Sequence, residues 1–209
     1  MEDMEEEDNI IEVKAILIGG HFVGKTSLIN VTIGIQFDSD LKPTITSSYV
    51  EKKFIINQKE YLVKLWDTAG MEKFRTLNKL FYKDSQIVIF VYDITRKESF
   101  EELNFWTNEI RKELGENLVL GMAGNKIDLV DSEQVDESMA RDYAQNINAN
   151  FKLVSAKENP RIFISFLEEL LNIYIGKNNN NDRITNKKGE NIKINLNNNK
   201  NIRKSNGCC

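Results

Sequence analysis

The chain has 209 residues, a formal net charge of −4, and 41% hydrophobic and 29% charged residues. That length suits one soluble domain with tails, and no run of about 18 apolar residues is present to span a bilayer. Two cysteines, the last two residues, cannot staple a core, and with one histidine they are too few for a structural zinc site, so a reduced cytosolic setting is expected.

The charge is uneven. Residues 177–209 hold eight Lys/Arg against two Asp/Glu, a net +6, while the remainder holds 20 against 30, a net −10. An acidic body with a basic tail points to a membrane surface. Nucleic acid is not an expected partner, because the body offers no basic face interleaved with aromatics.

Taken in chain order, residues 1–9 carry six acidic side chains and are expected to be a disordered N-terminus without the basic and apolar regions of a signal peptide. "IIEVKAILIG" (10–19) is rich in Ile and Val, as a buried parallel strand is. A glycine loop follows, then "KTSLINVTI", a short helix. Pro43 marks a loop. "YVEKKFII" and "KEYLVKLWD" read as two strands around Asn57 and Gln58, a connection short enough to demand an antiparallel hairpin.

From there strands and helices alternate. "QIVIFVYDI" (86–94) is a buried strand. Ser99 can cap the next helix, with Glu102 completing a capping box. Phe100, Leu103, Trp106, Ile110 and Leu114 then recur at helical spacing. "NLVLGMAGNKID" is a strand running into a loop. Asp136 opens a helix with Met139, Tyr143 and Ile147 on one face. "FKLVSA" is a strand, and Asn159–Pro160 starts a last helix with a broad apolar stripe from Ile162 to Tyr174. The pattern predicts an α/β fold: a six-stranded, mostly parallel sheet with one antiparallel edge strand and helices on both faces. It occupies residues 10–176. Residues 177–209 read as a flexible, basic, Asn-rich tail. Ligands on such sheets bind beyond the carboxyl ends of the strands, where every motif below falls.

Gly19 to Thr26, "GGHFVGKT", match G-x-x-x-x-G-K-[ST] between a predicted strand and a predicted helix. Backbone N–H groups of Phe22, Val23, Gly24, Lys25, Thr26 and Ser27 can converge on phosphate oxygens at a helix N-terminus. Lys25 would bridge the outer phosphates, and the Thr26 hydroxyl would ligate Mg²⁺. In "WDTAG" (66–70), Asp67 would hold the same ion and the Gly70 N–H would approach a terminal phosphate. In "NKID" (125–128), the Asp128 carboxylate can accept from guanine N1–H and its exocyclic amine. Adenine lacks that donor pair, so Asp128 favours guanine. In "SAK" (155–157), the Ala156 N–H could meet guanine O6.

These residues carry a resemblance. The chain resembles the Ras superfamily of small GTPases, and "KLWDTAGMEKFRTL", "YDIT", "NKID", "SAK" and the terminal "CC" are most similar to its Rab branch. The resemblance implies a P-loop G domain that binds GTP/GDP with Mg²⁺ and hydrolyses GTP, with Lys25, Thr44 and Gly70 serving the reaction. Thr44 in "KPTI" is similar to the threonine that joins Thr26 and Asp67 at Mg²⁺ in the triphosphate state. Phe37 matches an aromatic that packs edge-on against guanine. Asn125, Lys126, Ser155 and Lys157 complete the implied base pocket. Residues 36–49 and 68–82 become the switch segments, which effectors read. An exchange factor, a GTPase-activating protein and a prenyl-binding chaperone are the other implied partners of a monomeric G domain. The expected location is the cytosolic face of an intracellular membrane, in exchange with cytosol. A P-loop kinase is the rival reading, opposed by "NKID" with "SAK" and by the lack of an arginine-rich lid.

Three departures from the family pattern bear on hydrolysis. Met71 follows "DTAG" where the family carries the Gln that orients the attacking water, and a thioether cannot replace an amide's donor and acceptor. His21 adds bulk beside the γ-phosphate, where Gly or Ser is usual. Phe22 replaces a small residue and would be strained by about 1–2 kcal/mol if its backbone is left-handed. These point to slow intrinsic hydrolysis, or to a GTP-locked or exchange-controlled binding module. "PTITSSY" also departs, with Thr46 where Gly is common.

Cys208 and Cys209 resemble the doubly geranylgeranylated Rab terminus. Two lipids give stable anchoring where one gives only marginal binding. Changing both cysteines to serine is expected to move the protein from the membrane pellet to the soluble fraction on cell fractionation. Unchanged pelleting would exclude lipid anchoring through this pair.

Overall fold

A computed structural model describes residues 10–42, 44, 48–68, 81–115 and 118–179. It divides into two compact units, Met1–Asn172 and Ile173–Cys209. The described part of the second unit, 173–179, is helical. The expectations for residues 1–9, for Pro43, Thr46, Gly70 and Met71, and for the tail from 180 to Cys209 concern residues outside those described.

The first unit follows the predicted alternation. Strand β1 (Ile11–Ile18) leads to helix α1 (Lys25–Thr32), then to the hairpin β2 (Ser48–Ile56) and β3 (Lys59–Asp67). Asn57 and Gln58 take φ of 51° and 63°, the left-handed pair that a two-residue hairpin turn requires. Strand β4 (Ile87–Asp93) precedes helices α2 (Lys97–Glu101) and α3 (Leu103–Leu114). Strand β5 (Val119–Asn125), a 3-10 turn (Ile127–Ser132), helix α4 (Glu137–Asn146) and strand β6 (Ala149–Leu153) follow. A last helix, α5, begins at Pro160 and runs to the end of this unit at Asn172.

The six strands form one sheet in the order β2-β3-β1-β4-β5-β6. Only the β2–β3 pair is antiparallel, and β2 is the edge. Every residue of β4 is buried, as a strand covered on both faces must be. Its side chains alternate. Val88, Phe90 and Tyr92 join a core with Leu103, Trp106 and Ile110 of α3. On α5, Phe163, Phe166, Leu167, Leu170 and Leu171 are all 0% exposed, and they cover the opposite face. Gly121 of β5 leaves room there: a Cβ would lie 2.6 Å from Leu170 Cδ1.

Two local expectations are corrected. Ser99 does not cap: Arg96 is the N-cap of α2, without a side-chain cap bond. The Ser99 hydroxyl instead donates to Arg96 O at 2.7 Å and accepts from Asp93 N at 3.0 Å. The hydroxyl thus ties the start of α2 back to the end of β4 rather than capping a helix. On α4, Asp136 does cap, accepting from Ser138 N and Met139 N. Yet Met139 is 40% exposed, and Ala140 and Ala144 are buried instead. Ile147 is buried in the core and Tyr143 packs against it as expected, so Met139 alone departs, and the small Ala140 and Ala144 let the helix approach the sheet.

Replacing Leu170 with alanine removes a fully buried side chain from the α5 layer. A loss of about 2–5 kcal/mol is expected, read as a lower urea midpoint in equilibrium unfolding.

Candidate nucleotide site

The sheet delivers three polar residues to one rim, because β3, β4 and β5 run parallel and end at Asp67, Asp93 and Asn125. The loop between β1 and α1 lies at the same rim. Gly19 must be glycine, since a Cβ would sit 2.0 Å from Val91 O. Gly24 takes φ 92°, and its Cβ would meet Asn125 Nδ2 at 2.3 Å. Phe22 also adopts left-handed backbone, at φ 56°, with its side chain 65% exposed.

The loop and its neighbours enclose a cavity of about 670 Å³, enough for a nucleotide. Lys25, Thr26, Thr44 and Thr68 line one part of it; Phe37, Asp128 and Ala156 line another. Lys25 is 6% exposed. Its Nζ donates to Gly19 O at 3.0 Å and Gly20 O at 2.8 Å. Burial lowers its pKa from 10.5 to about 8, and the Arg96 charge adds to the lowering while Asp67 and Glu102 oppose it. The site therefore holds an amine whose charged form an anion would stabilise.

Thr26, Thr44 and Asp67 meet at a single point. Thr26 Oγ1 lies 2.7 Å from Thr44 Oγ1 and donates to Asp67 Oδ2 at 2.7 Å. Thr44 Oγ1 reaches the same oxygen at 3.2 Å. Asp67 Oδ1 is buried and makes no hydrogen bond. Burial raises the Asp67 pKa, and bonds from Thr26 and Thr44 and the Lys25 charge only partly offset this. Two hydroxyls and a carboxylate with an orphaned oxygen are a hard-oxygen set that fits Mg²⁺. No cluster of three His, Cys, Asp or Glu able to hold a metal occurs among the described residues.

The base-side motifs are tied to the phosphate loop and to each other. Asn125 Nδ2 donates to Val23 O at 2.8 Å, and its Oδ1 accepts from Ala156 N at 3.3 Å. Ser155 Oγ donates to Asp128 Oδ1 at 2.6 Å, which orients that carboxylate. The Ser155 oxygen also accepts from Lys157 N and Glu158 N. Lys126 takes φ 70°, and its Nζ lies 2.6 Å from Asp93 Oδ2.

Some residues at the rim were not singled out by the sequence. Asp93 is 1% exposed. Burial would raise its pKa, but hydrogen bonds from Lys126 and Thr95 outweigh this and hold it below its ordinary value. Its signal was its position: an acid closing an apolar strand at the ligand rim. The Thr68 hydroxyl donates to Leu17 O at 2.7 Å, joining the ends of β1 and β3. On the outer part of the sheet, Tyr49, Trp66 and Phe81 form a ring cluster with centroids 4.9 and 5.9 Å apart.

A phosphate-binding loop at the carboxyl rim of a mostly parallel sheet, with an oxygen triad beside it, defines a P-loop nucleotide-binding protein. The Ras family model, "Ras family", matches residues 14–174. The human "Ras-related protein Rab-22A" is 40% identical over 157 residues, covering 75% of this chain and 81% of that protein. The "Ras-related protein Rab-21" of Geodia cydonium is 37% identical over 158 residues, covering 76% of this chain and 69% of that protein. The chain belongs to the Ras family and is a divergent, Rab-like small GTPase. Such GTPases bind GTP and GDP, typically with Mg²⁺.

The Lys25 shift has a signed consequence. Phosphate favours the charged amine, so binding above about pH 8 must take up a proton, whereas below it Lys25 is already charged. In EDTA, GDP affinity is expected to fall by up to about tenfold per pH unit above pH 8. Calorimetry in two buffers of different ionisation heat should register proton uptake at pH 9 and little at pH 7.

Proposed function

We propose that this chain is a membrane-cycling regulator of vesicle traffic that switches between GTP and GDP and hydrolyses GTP slowly. The observation that carries the reading is the joining of the phosphate loop to the base loops through Asn125, which holds Val23 O and Ala156 N at one cavity. Guanine would meet Asp128 and Ala156, with Phe37 at its edge and Asn125, Lys126, Ser155 and Lys157 shaping the pocket. The phosphates would lie on the amides of Phe22 to Ser27, with Lys25 between the outer two. Thr26, Thr44 and Asp67 would hold Mg²⁺. When bound, that ion neutralises charge on the outer phosphate oxygens.

Hydrolysis is in-line attack by water on the γ-phosphate, with Lys25 and the loop amides stabilising the charge that develops. Met71 offers that water no amide, and His21 lines the cavity. Thr44 and Gly70 would be held only while the γ-phosphate is present, so its loss frees both switch segments. Effectors would read those segments. Tyr49 and Phe81 belong to them and both pack against Trp66, which gives such a partner an aromatic surface. The prenylated tail, Cys208 and Cys209, would set the membrane side. No helix among the described residues is long and apolar enough to cross a membrane.

A second reading, a GTP-locked or exchange-controlled module, is favoured by His21 and Met71 together. One experiment separates them. The purified protein is expected to carry guanine nucleotide, and GDP but not ADP should displace a fluorescent analogue. Single-turnover hydrolysis should be slower than in Met71→Gln by roughly tenfold or more. Equal rates would remove the role assigned to Met71. No turnover, even with an activating protein, would decide for the locked module. Equal competition by ADP would overturn guanine binding altogether.

A further inference from the structure

The phosphate loop is held by more than its own sequence. Two of its carbonyls are tethered from outside, and they flank the strained residue Phe22. Asn125 Nδ2 takes Val23 O at 2.8 Å. On the other side, the Arg96 guanidinium donates to His21 O. Arg96 comes from the junction of β4 and α2, 75 residues away in sequence. Its Nε lies 3.4 Å from Asp93 Oδ2, the oxygen that Lys126 Nζ reaches at 2.6 Å. Thr95 occupies the other Asp93 oxygen, donating from N at 2.9 Å and from Oγ1 at 2.7 Å. A continuous polar chain therefore runs Lys126–Asp93–Arg96–His21, from the "NKID" loop to the phosphate loop.

Peptide planarity turns this tether into a directional device. The C=O of His21 and the N–H of Phe22 belong to one trans peptide and point opposite ways. No cis peptide bond is present among the described residues. Holding His21 O toward Arg96 therefore aims the Phe22 N–H away from Arg96. Asn125 does the same for the Gly24 N–H through Val23 O. These tethers, on the carbonyls either side of it, oppose the tendency of Phe22 at φ 56° to leave the left-handed region.

We propose that Arg96 is a positioning residue for nucleotide retention: it clamps the His21–Phe22 peptide and, through buried Asp93, couples the phosphate loop to Lys126 of the base loop. Arg96 need not touch the nucleotide. The clamp suits a loop that carries Phe where its backbone favours glycine. It makes release of the base and loosening of the phosphate loop one event, so the rate of nucleotide exchange is set partly at the start of α2. This rests on guanine-nucleotide binding at the site described above.

The test is release of fluorescent GDP from the full chain in Mg²⁺ buffer. Arg96→Ala is expected to speed release roughly tenfold or more, the loss of a charge-assisted hydrogen bond. Arg96→Gln keeps a donor for His21 O without the charge facing Asp93, and should fall between. In a Phe22→Gly background the left-handed backbone is free of strain, so the effect of Arg96→Ala should shrink severalfold. Melting temperature of the nucleotide-free protein is followed in parallel. Release from Arg96→Ala within twofold of wild type overturns the proposal. So does an equal acceleration in both Phe22 and Gly backgrounds, which would mark a general structural role. Should Arg96→Ala fail to fold, Arg96→Gln carries the same comparison. A wild-type protein that retains no guanine nucleotide would overturn the binding reading itself, and this proposal with it; retention with unaffected variants overturns the clamp alone.

Discussion

Two opposite charges buried at one rim set the terms for this protein. Lys25 and Asp67 are 6% and 4% exposed. Each is disfavoured in its charged form by that burial, and each is pushed toward neutrality. Their mutual attraction and their hydrogen bonds offset part of this cost but not all of it. What would satisfy both is a ligand that brings an anion to the lysine and a cation to the aspartate. A nucleoside phosphate with its divalent ion is such a ligand. The site is thus held in a state that binding relieves, which is how a fold can tie its own ordering to a phosphate.

The rest of the molecule exists to keep these groups close. Six separate stretches of the described chain supply the rim, and the parallel strands β1, β3, β4, β5 and β6 bring most of them there in register. Apolar layers on both faces fix the sheet. Polar tethers then fix the loops: Thr68 to Leu17, Asn125 to Val23, Ser155 to Asp128. Each tether joins residues 27 to 102 positions apart. Loops on a rigid scaffold gain precision this way without becoming rigid throughout, which a switch requires.

Much of the fold was legible because the signals were local. β4 is a continuous apolar run, and the hairpin was legible from the two residues between its strands. The phosphate loop announced itself by glycine spacing between a strand and a helix. Failures came where the packing of an element outvoted its local pattern. Ser99 fits a capping pattern, yet its hydroxyl is taken by the backbone of Asp93 and Arg96. Met139 fits an apolar stripe, yet it is exposed while Ala140 and Ala144 are buried.

By itself the sequence determined which chemistry was available: a glycine loop with Lys25, hydroxyls and a carboxylate for a hard cation, and Asp128 for a donor pair on a base. Composition and spacing suffice for that, because each motif acts through its own backbone and a few adjacent side chains. Only the tertiary structure decided how the motifs are held. That Asp93 sits between Lys126 and Arg96, and that Arg96 reaches His21, follows from the pairing of β4 with β1 and β5. No short window of residues contains that pairing, since hydrogen-bond partners across a sheet are set by register and by the burial of whole strands.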